Sequence, residues 1–247
     1  MAQQRLPSLL DQPIAFAHRG ARAHAPENTL EAFELALRLG ATGLETDAWL
    51  SRDGVPVLDH DGVVRRALGR GRPISGFDRR QLPAHIPSVG ELVERCGTGF
   101  HLSVDIKDPA AGQVVVDHVR EAGPDLLPRV WLCSGARATL EPLRGQGARL
   151  VDSTRLAKIK EGSERRAATL AREGIDAVNM HHSDWNGGLV TLFHRFGVVA
   201  FGWDMQDDHV LRPALRMGLD GVYSDWVDRM LDAYTAELGP PTPVTAG

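Results

Sequence analysis

The sequence predicts a TIM (β/α)8 barrel, on three observations. Apolar strand-like runs alternate with amphipathic helical patterns along the whole chain, giving eight strand–helix units in 247 residues, the size and rhythm of such a barrel. Helical patterns close on a glycine just before the next strand at Gly40, Gly97, Gly123, Gly174, Gly197 and Gly218, the left-handed cap expected where a helix turns back into a parallel strand. No Gly-rich nucleotide fingerprint follows any strand, which sets aside the doubly wound open sheet that produces the same alternation.

The first strand is IAFAHRG, beginning at Ile14. The helix NTLEAFELALRLG follows, with Leu30, Phe33 and Leu37 on one buried face and Gly40 at its end. Pro26 stiffens the intervening turn, and Asn28 or Thr29 caps the helix. The second strand, GLETDAWL, alternates into Glu45 and Asp47. The rhythm then breaks. DGVPVLDHDG and the Gly/Arg-rich RRALGRGRPISGF predict a small insertion after the second strand, residues 51–87, built as a hairpin and a cap over the barrel mouth.

The helix SVGELVERCG resumes the alternation and leads to the strand FHLSVDIK. Helix GQVVVDHVREAG, strand RVWLCS, helix RATLEPLRGQG and strand ARLVDST come next. Helix SERRAATLAREG, strand DAVNMHH, helix GGLVTLFHRFG and strand VVAFGWDM continue the series. Helix DHVLRPALRMG, strand DGVYSD and helix WVDRMLDAYTAEL complete it. One domain over residues 1–238 is expected, with the Pro-rich tail GPPTPVTAG, residues 239–247, disordered.

Composition narrows the partners. Net charge is −4 and the arginines are scattered, which argues against nucleic acid or an anionic membrane surface. No apolar run reaches transmembrane length and the N-terminus lacks a signal-peptide pattern, so a cytoplasmic protein without stable membrane insertion is expected. Cys96 falls on a helix and Cys133 on a strand, without metal-type spacing, so both read as reduced core residues.

The chemically capable residues share one address. His18 and Arg19 end the first strand, and Glu45 and Asp47 the second, with His60 just beyond. Asp105 and Lys107 end the third strand, His181 and His182 the sixth, Trp203 and Asp204 the seventh, Asp225 the eighth. C-terminal strand ends share the face where barrel active sites lie. The N-terminal ends are expected to carry little that titrates.

Glu45 and Asp47 are two apart on a strand, so their side chains point to the same side. With Asp105 from the next strand, three oxygen ligands converge in a set suited to a hard divalent cation, Ca2+ or Mg2+. The same residues could instead form an interior ion-pair cluster with Arg19 and Lys107. His18 and His60 are the natural proton-transfer pair, and Arg19 and Lys107 offer positive charge to a phosphate. No serine or cysteine sits in a nucleophile elbow. The inventory describes phosphoryl transfer better than acyl transfer. Strand alternation lets only one of His181 and His182 face inward, and neither receives a role.

The stretch HRG…PENTLEAFELALRLGATGLETDAWLSRDGVPVLDHD resembles the signature of glycerophosphodiester phosphodiesterases. IPSVGELVE, VDIK, GW and MGLDGVYSDWVD resemble later pieces of the same pattern, so the likeness runs from His18 to about Asp228. It implies a TIM barrel with an insertion after the second strand, and metal-dependent hydrolysis of a small-molecule glycerophosphodiester to an alcohol and glycerol phosphate. Carried across, it implies His18 and His60 as the acid/base pair and Arg19 and Lys107 as phosphate contacts. It further implies Glu45, Asp47 and Asp105 as ligands of Ca2+ or Mg2+, and Trp203 as a wall of the glycerol subsite.

Asp105 departs from the usual Glu, and Asp204 and Gln206 depart from the usual Thr and Asn. A lysophospholipase D-type reaction on the same scaffold is the alternative, and a non-catalytic phosphodiester-binding barrel is a more distant one.

Overall fold

The computed structural model describes residues 5–65 and 71–244. The chain runs through β1 (Ile14–Ala17), α1 (Leu30–Arg38) and β2 (Gly43–Leu50), then the insertion strands β3 (Pro56–Leu58), β4 (Val63–Val64) and β5 (Arg72–Pro73). It continues with α2 (Val89–Cys96), β6 (His101–Ile106), α3 (Ala111–Ala122), β7 (Val130–Ser134), α4 (Arg137–Leu140) and β8 (Arg149–Ser153). α5 (Ser163–Glu173), β9 (Ala177–His181), α6 (Gly187–Arg195), β10 (Val199–Trp203), α7 (Asp208–Arg216), β11 (Gly221–Ser224) and α8 (Val227–Leu238) complete it.

Parallel pairing passes from β1 to β2, β6, β7, β8, β9, β10 and β11, and β11 pairs back onto β1. The eight strands therefore close into a barrel with helices outside. Aromatic rings fill its interior: Phe16 stacks on Tyr223 at 4.5 Å, and Phe201 meets the Trp131 edge at 4.8 Å. Gly43 makes room for this layer, since a Cβ there would meet the Phe16 ring at 2.5 Å. The larger apolar core lies between strands and helices, where Phe33, Leu92, Val116, Leu170, Phe193 and Met230 are fully buried. Each such side chain contributes roughly 1.5–3 kcal/mol relative to exposure.

The insertion is a cap with its own small core. β3 pairs antiparallel on the upper end of β2, with Ala48 opposite Leu58 and Leu50 opposite Pro56. Val57, Ile74, Leu82 and Ile86 pack together beneath it, against Trp49 and Phe77. Residues 66–70 of the Gly/Arg-rich stretch lie outside the described residues. So do 245–247 of the expected disordered tail, whereas Thr242 exchanges two hydrogen bonds with the Gln12 side chain at 2.8 and 2.9 Å.

Three expectations need correction. Gly123 is not a left-handed cap: its φ is −161°, and a Cβ would meet Thr98 and Val93 at 2.7 and 2.8 Å, so crowding selects the glycine. The helix over RATLEPLRGQG shrinks to the single turn of α4 and a 3-10 turn at Glu141–Leu143 that contains Pro142. The N-terminal strand ends do carry titratable groups. Asp220, fully buried, accepts from Ser8 Oγ, Leu9 N and Ala200 N and pairs with His194 at 2.8 Å. Asp176 accepts from Leu150 N at 2.8 Å. These carboxylates satisfy backbone N–H groups where strands begin, a structural duty.

Candidate active site

The C-terminal ends of the strands surround a cavity of about 590 Å³. Of the residues singled out from the sequence, His18, Glu45, His60, Asp105, Lys107, Trp203, Asp204, Gln206 and Asp225 line it. Asp47, 1% exposed, and Arg19, 13% exposed, lie buried behind that wall.

The chain reaches this mouth through a strained turn. Arg19, Asn28 and Asp204 are the non-glycine residues with positive φ among the described residues, at 52°, 55° and 63°, and all three stand at the mouth. Such conformations persist only where surrounding structure enforces them. Gly20, at φ 76°, lets β1 turn onto α1, where a Cβ would meet the Ala32 carbonyl carbon at 2.7 Å. Thr29, not Asn28, is the N-cap of α1, accepting from Ala32 N at 3.2 Å. Asn28 is a brace instead: it donates to Asp47 Oδ2 at 3.1 Å and accepts from Thr46 Oγ1 at 2.7 Å.

Parallel pairing of β2 with β6 sets Asp47 opposite Asp105. One oxygen from each of Glu45, Asp47 and Asp105 lies within 4.8 Å of the others. Shortening the third ligand by a methylene therefore does not break the cluster. Burial pushes the Glu45 carboxyl up to about 8; His18 opposes the rise, and Asp47 and Asp105 add to it. Asp105 is likewise raised by burial, with Lys107 opposing and Asp47 adding. Three carboxylates this close repel one another, and either a proton or a cation relieves that.

Part of the relief comes from the chain. Lys107 Nζ sits 2.9 Å from Asp47 Oδ1 and 3.2 Å from Asp105 Oδ2. Burial alone would lower its pKa, but these two carboxylates raise it. Arg19 Nε lies 3.4 Å from Asp47 Oδ2, its Nη1 pairs with Glu27 at 3.1 Å, and its backbone N–H donates to Glu45 Oε2 at 2.9 Å. The ion-pair arrangement and the convergent ligand set thus coexist.

His18 Nδ1 lies 2.6 Å from Asp225 Oδ1, and its Nε2 is 3.7 Å from Glu45 Oε2. Burial would lower its pKa, but Glu45 and Asp225 outweigh burial and hold it above the ordinary imidazole value. His60 also lines the cavity, its Nδ1 2.9 Å from Asp61 Oδ1. Its loop is pinned by Asp59, whose backbone N–H donates to Asp47 O at 3.1 Å and whose carboxylate accepts from Gly62 N at 2.7 Å.

Sequence reasoning placed Asp225 at the mouth without a role; only the fold pairs it with His18 across 207 positions. It also missed Arg22, which lines the cavity 3.8 Å from Asp225, and the β8 end, where Ser153, Thr154, Arg155 and Lys158 add a polar wall. Motif spacing held no signal for these. β9 ends at His181 and a 3-10 turn starts at His182, and neither side chain is among those that line the cavity. Their ring centroids are 4.2 Å apart.

A closed barrel whose acids, bases and cations gather at one C-terminal mouth has the architecture of a TIM-barrel enzyme site. Residues 18–229 match the model of the glycerophosphoryl diester phosphodiesterase family, and the chain belongs to that family. It is 27% identical over 244 residues to "Probable glycerophosphodiester phosphodiesterase 2" of Mycobacterium tuberculosis, covering 90% of this chain and 91% of that one. It is 52% identical to glycerophosphodiester phosphodiesterase 1 of Rattus norvegicus over 63 residues, 25% of this chain but only 19% of the rat protein. The fold matches an Oleispira antarctica phosphodiesterase solved with the product sn-glycerol-3-phosphate, with a TM-score of 0.77, 23% identity, and coverage of 90% of this chain and 96% of that one.

Proposed function

We propose that the protein hydrolyses glycerophosphodiesters to an alcohol and glycerol phosphate, using His18 and His60 for proton transfer and a divalent cation for charge. The observation that carries this reading is the meeting of two imidazoles, Lys107 and a convergent carboxylate triad at one cavity, with Glu45 and Asp105 in its wall and Asp47 behind them.

Glu45, Asp47 and Asp105 would hold the cation, Ca2+ or Mg2+. Their donors are all oxygen, they converge, and burial, with Asp47 and Asp105 adding, pushes the Glu45 carboxyl up to about 8. Such a donor set suits a hard ion. Such an ion would supply positive charge against the phosphodiester and would lower the pKa of an attacking hydroxyl.

The chain's own groups do the rest. Asp225 fixes His18 with Nδ1–H as donor, which leaves Nε2 as the proton-transfer atom facing Glu45 and the cavity. One imidazole accepts the proton of the attacking oxygen. The other donates to the departing alkoxide as the phosphorus–oxygen bond breaks. Lys107 and Arg22 add fixed positive charge at the wall, with Arg19 behind it, and Trp203 offers a flat face to the glycerol carbons.

The wall is largely charged and polar, with Trp203 and Tyr223 its aromatic members. A headgroup-sized diester fits that surface better than an acyl chain, which favours glycerophosphodiesters over lysophospholipids. Among the described residues no helix is long and apolar enough to cross a membrane. The free thiols of Cys96 and Cys133 suit a reducing, cytoplasmic setting.

The test is product release across a panel of glycerophosphodiesters and lysophospholipids with varied divalent ions. Turnover of the former with Ca2+ or Mg2+ is expected. Turnover of no member with any ion would overturn the reading in favour of a binding barrel.

A further inference from the structure

We propose that His181, His182 and Asp204 form a second metal site, for a transition-metal dication of the zinc type, on the side of the mouth opposite the buried carboxylates. One ligand atom from each of the three lies within 4.8 Å of the others. They lie at and just beyond the C-terminal ends of β9 and β10, which stand across the closed barrel from β2 and β6, the strands that carry Glu45, Asp47 and Asp105. Two imidazoles and one carboxylate form a softer donor set than three carboxylates, and select zinc-like ions over Ca2+ or Mg2+.

The local geometry holds these side chains for such a role. His181 Nε2 is 3.1 Å from Asp204 Oδ2, close to the roughly 3.3 Å edge of a tetrahedron with ligand bonds of about 2.0 Å. Asp204 adopts a φ of 63° and its other oxygen accepts from Gln206 Nε2 at 3.2 Å. Trp203 meets the His181 ring edge-on at 4.6 Å and limits its rotation.

Ser183 serves either tautomer of His181. Its backbone N–H donates to a bare Nδ1 at 3.2 Å, and its hydroxyl at 2.8 Å can accept from a protonated one. The second tautomer frees the Nε2 lone pair for a metal, and a hydrogen-bonded far nitrogen is the usual partner of a metal-ligating imidazole. Asp204 also lines the cavity, so an ion held here adds positive charge to the wall facing Glu45.

The site does not depend on the phosphodiesterase reading, and its test uses no turnover. The untagged full chain, in excess Mg2+ to occupy the oxygen ligands, is titrated with Co2+ and followed by its ligand-field absorption. A single saturable equivalent with the strong visible bands of low-coordinate, nitrogen-ligated cobalt is expected. His182→Ala and Asp204→Asn should each weaken binding at least tenfold, and Glu45→Gln should leave it unchanged, with circular dichroism confirming each fold. Absence of saturable absorption overturns the site. So does a signal that survives the His181→Ala/His182→Ala double variant, or one abolished by Glu45→Gln, which would place the cobalt among the buried carboxylates.

Discussion

His18 Nδ1 and Asp225 Oδ1 lie 2.6 Å apart, joining the end of the first barrel strand to the end of the last. Because the sheet closes, residues separated by 207 positions become neighbours. The carboxylate fixes which nitrogen carries the proton, and it helps to raise the imidazole pKa against burial. Asp225→Asn should keep the fold and lower kcat/KM by about 10²–10⁴, as when other catalytic histidines lose their orienting carboxylate. The limb of the pH–rate profile belonging to His18 should move to lower pH. A profile that keeps its midpoints would detach Asp225 from the reaction.

His18→Ala and His60→Ala should each reduce turnover by about 10²–10⁴, the usual worth of a positioned acid or base. Steady-state rates on a glycerophosphodiester check this, with a thermal melt to establish folding. Near-normal turnover in either variant removes that histidine from proton transfer.

Cation affinity should depend on pH through Glu45. Its folded pKa of about 8 means the carboxyl is protonated below that value and must release a proton to bind. Affinity for Ca2+ or Mg2+ should therefore fall by about tenfold per pH unit below 8 and level off above it. Titration calorimetry in buffers of different ionisation enthalpy measures the released proton directly. EDTA should abolish turnover and added ion restore it. Activity indifferent to the chelator would exclude the carboxylate triad from the mechanism.

His101 links stability to acid. Burial, with Arg129 and Arg149 adding, drops its pKa to about 4 from an ordinary 6.5, while its Nδ1 accepts from Trp131 Nε1 at 3.3 Å. The folded state thus binds its proton later than the unfolded state. The stabilisation is complete above pH 6.5 and is lost as pH falls to 4, in all about 3 kcal/mol. Urea unfolding at pH 7 and pH 4.5 measures the loss, and His101→Gln should flatten it while retaining an acceptor for the indole. An equal pH dependence in the variant would assign the effect elsewhere.

Gly20→Ala should destabilise the protein by about 1–3 kcal/mol, since the residue must hold a positive φ and its Cβ has no space against Ala32. A lower Tm accompanied by lost turnover is expected, because Arg19 and His18 precede the same turn. An unchanged melting curve would show that the turn accommodates a side chain.

The strand order and nearly all the helices were legible in the sequence because hydrophobic period and glycine punctuation are local. The cap of α1 was legible only as Asn28 or Thr29, and the fold chose Thr29 by turning the Asn28 side chain to Asp47. Gly123 was misread because its selection comes from Thr98 and Val93, residues distant in the chain. The fully buried Asp220 was missed because its partners, Ser8, His194 and Ala200, come from three different segments.

At the mouth the division is the same. The sequence by itself determined the residue types at the strand ends, and with them the class of chemistry: imidazoles, carboxylates and cations all facing one rim. Only the tertiary structure decided the pairings, among them His18 with Asp225, Asn28 with Asp47, Lys107 between two carboxylates, and His181 with Asp204. The reason is physical. A strand's period determines on which face a side chain stands, but closing eight strands into a ring determines whose charge it meets.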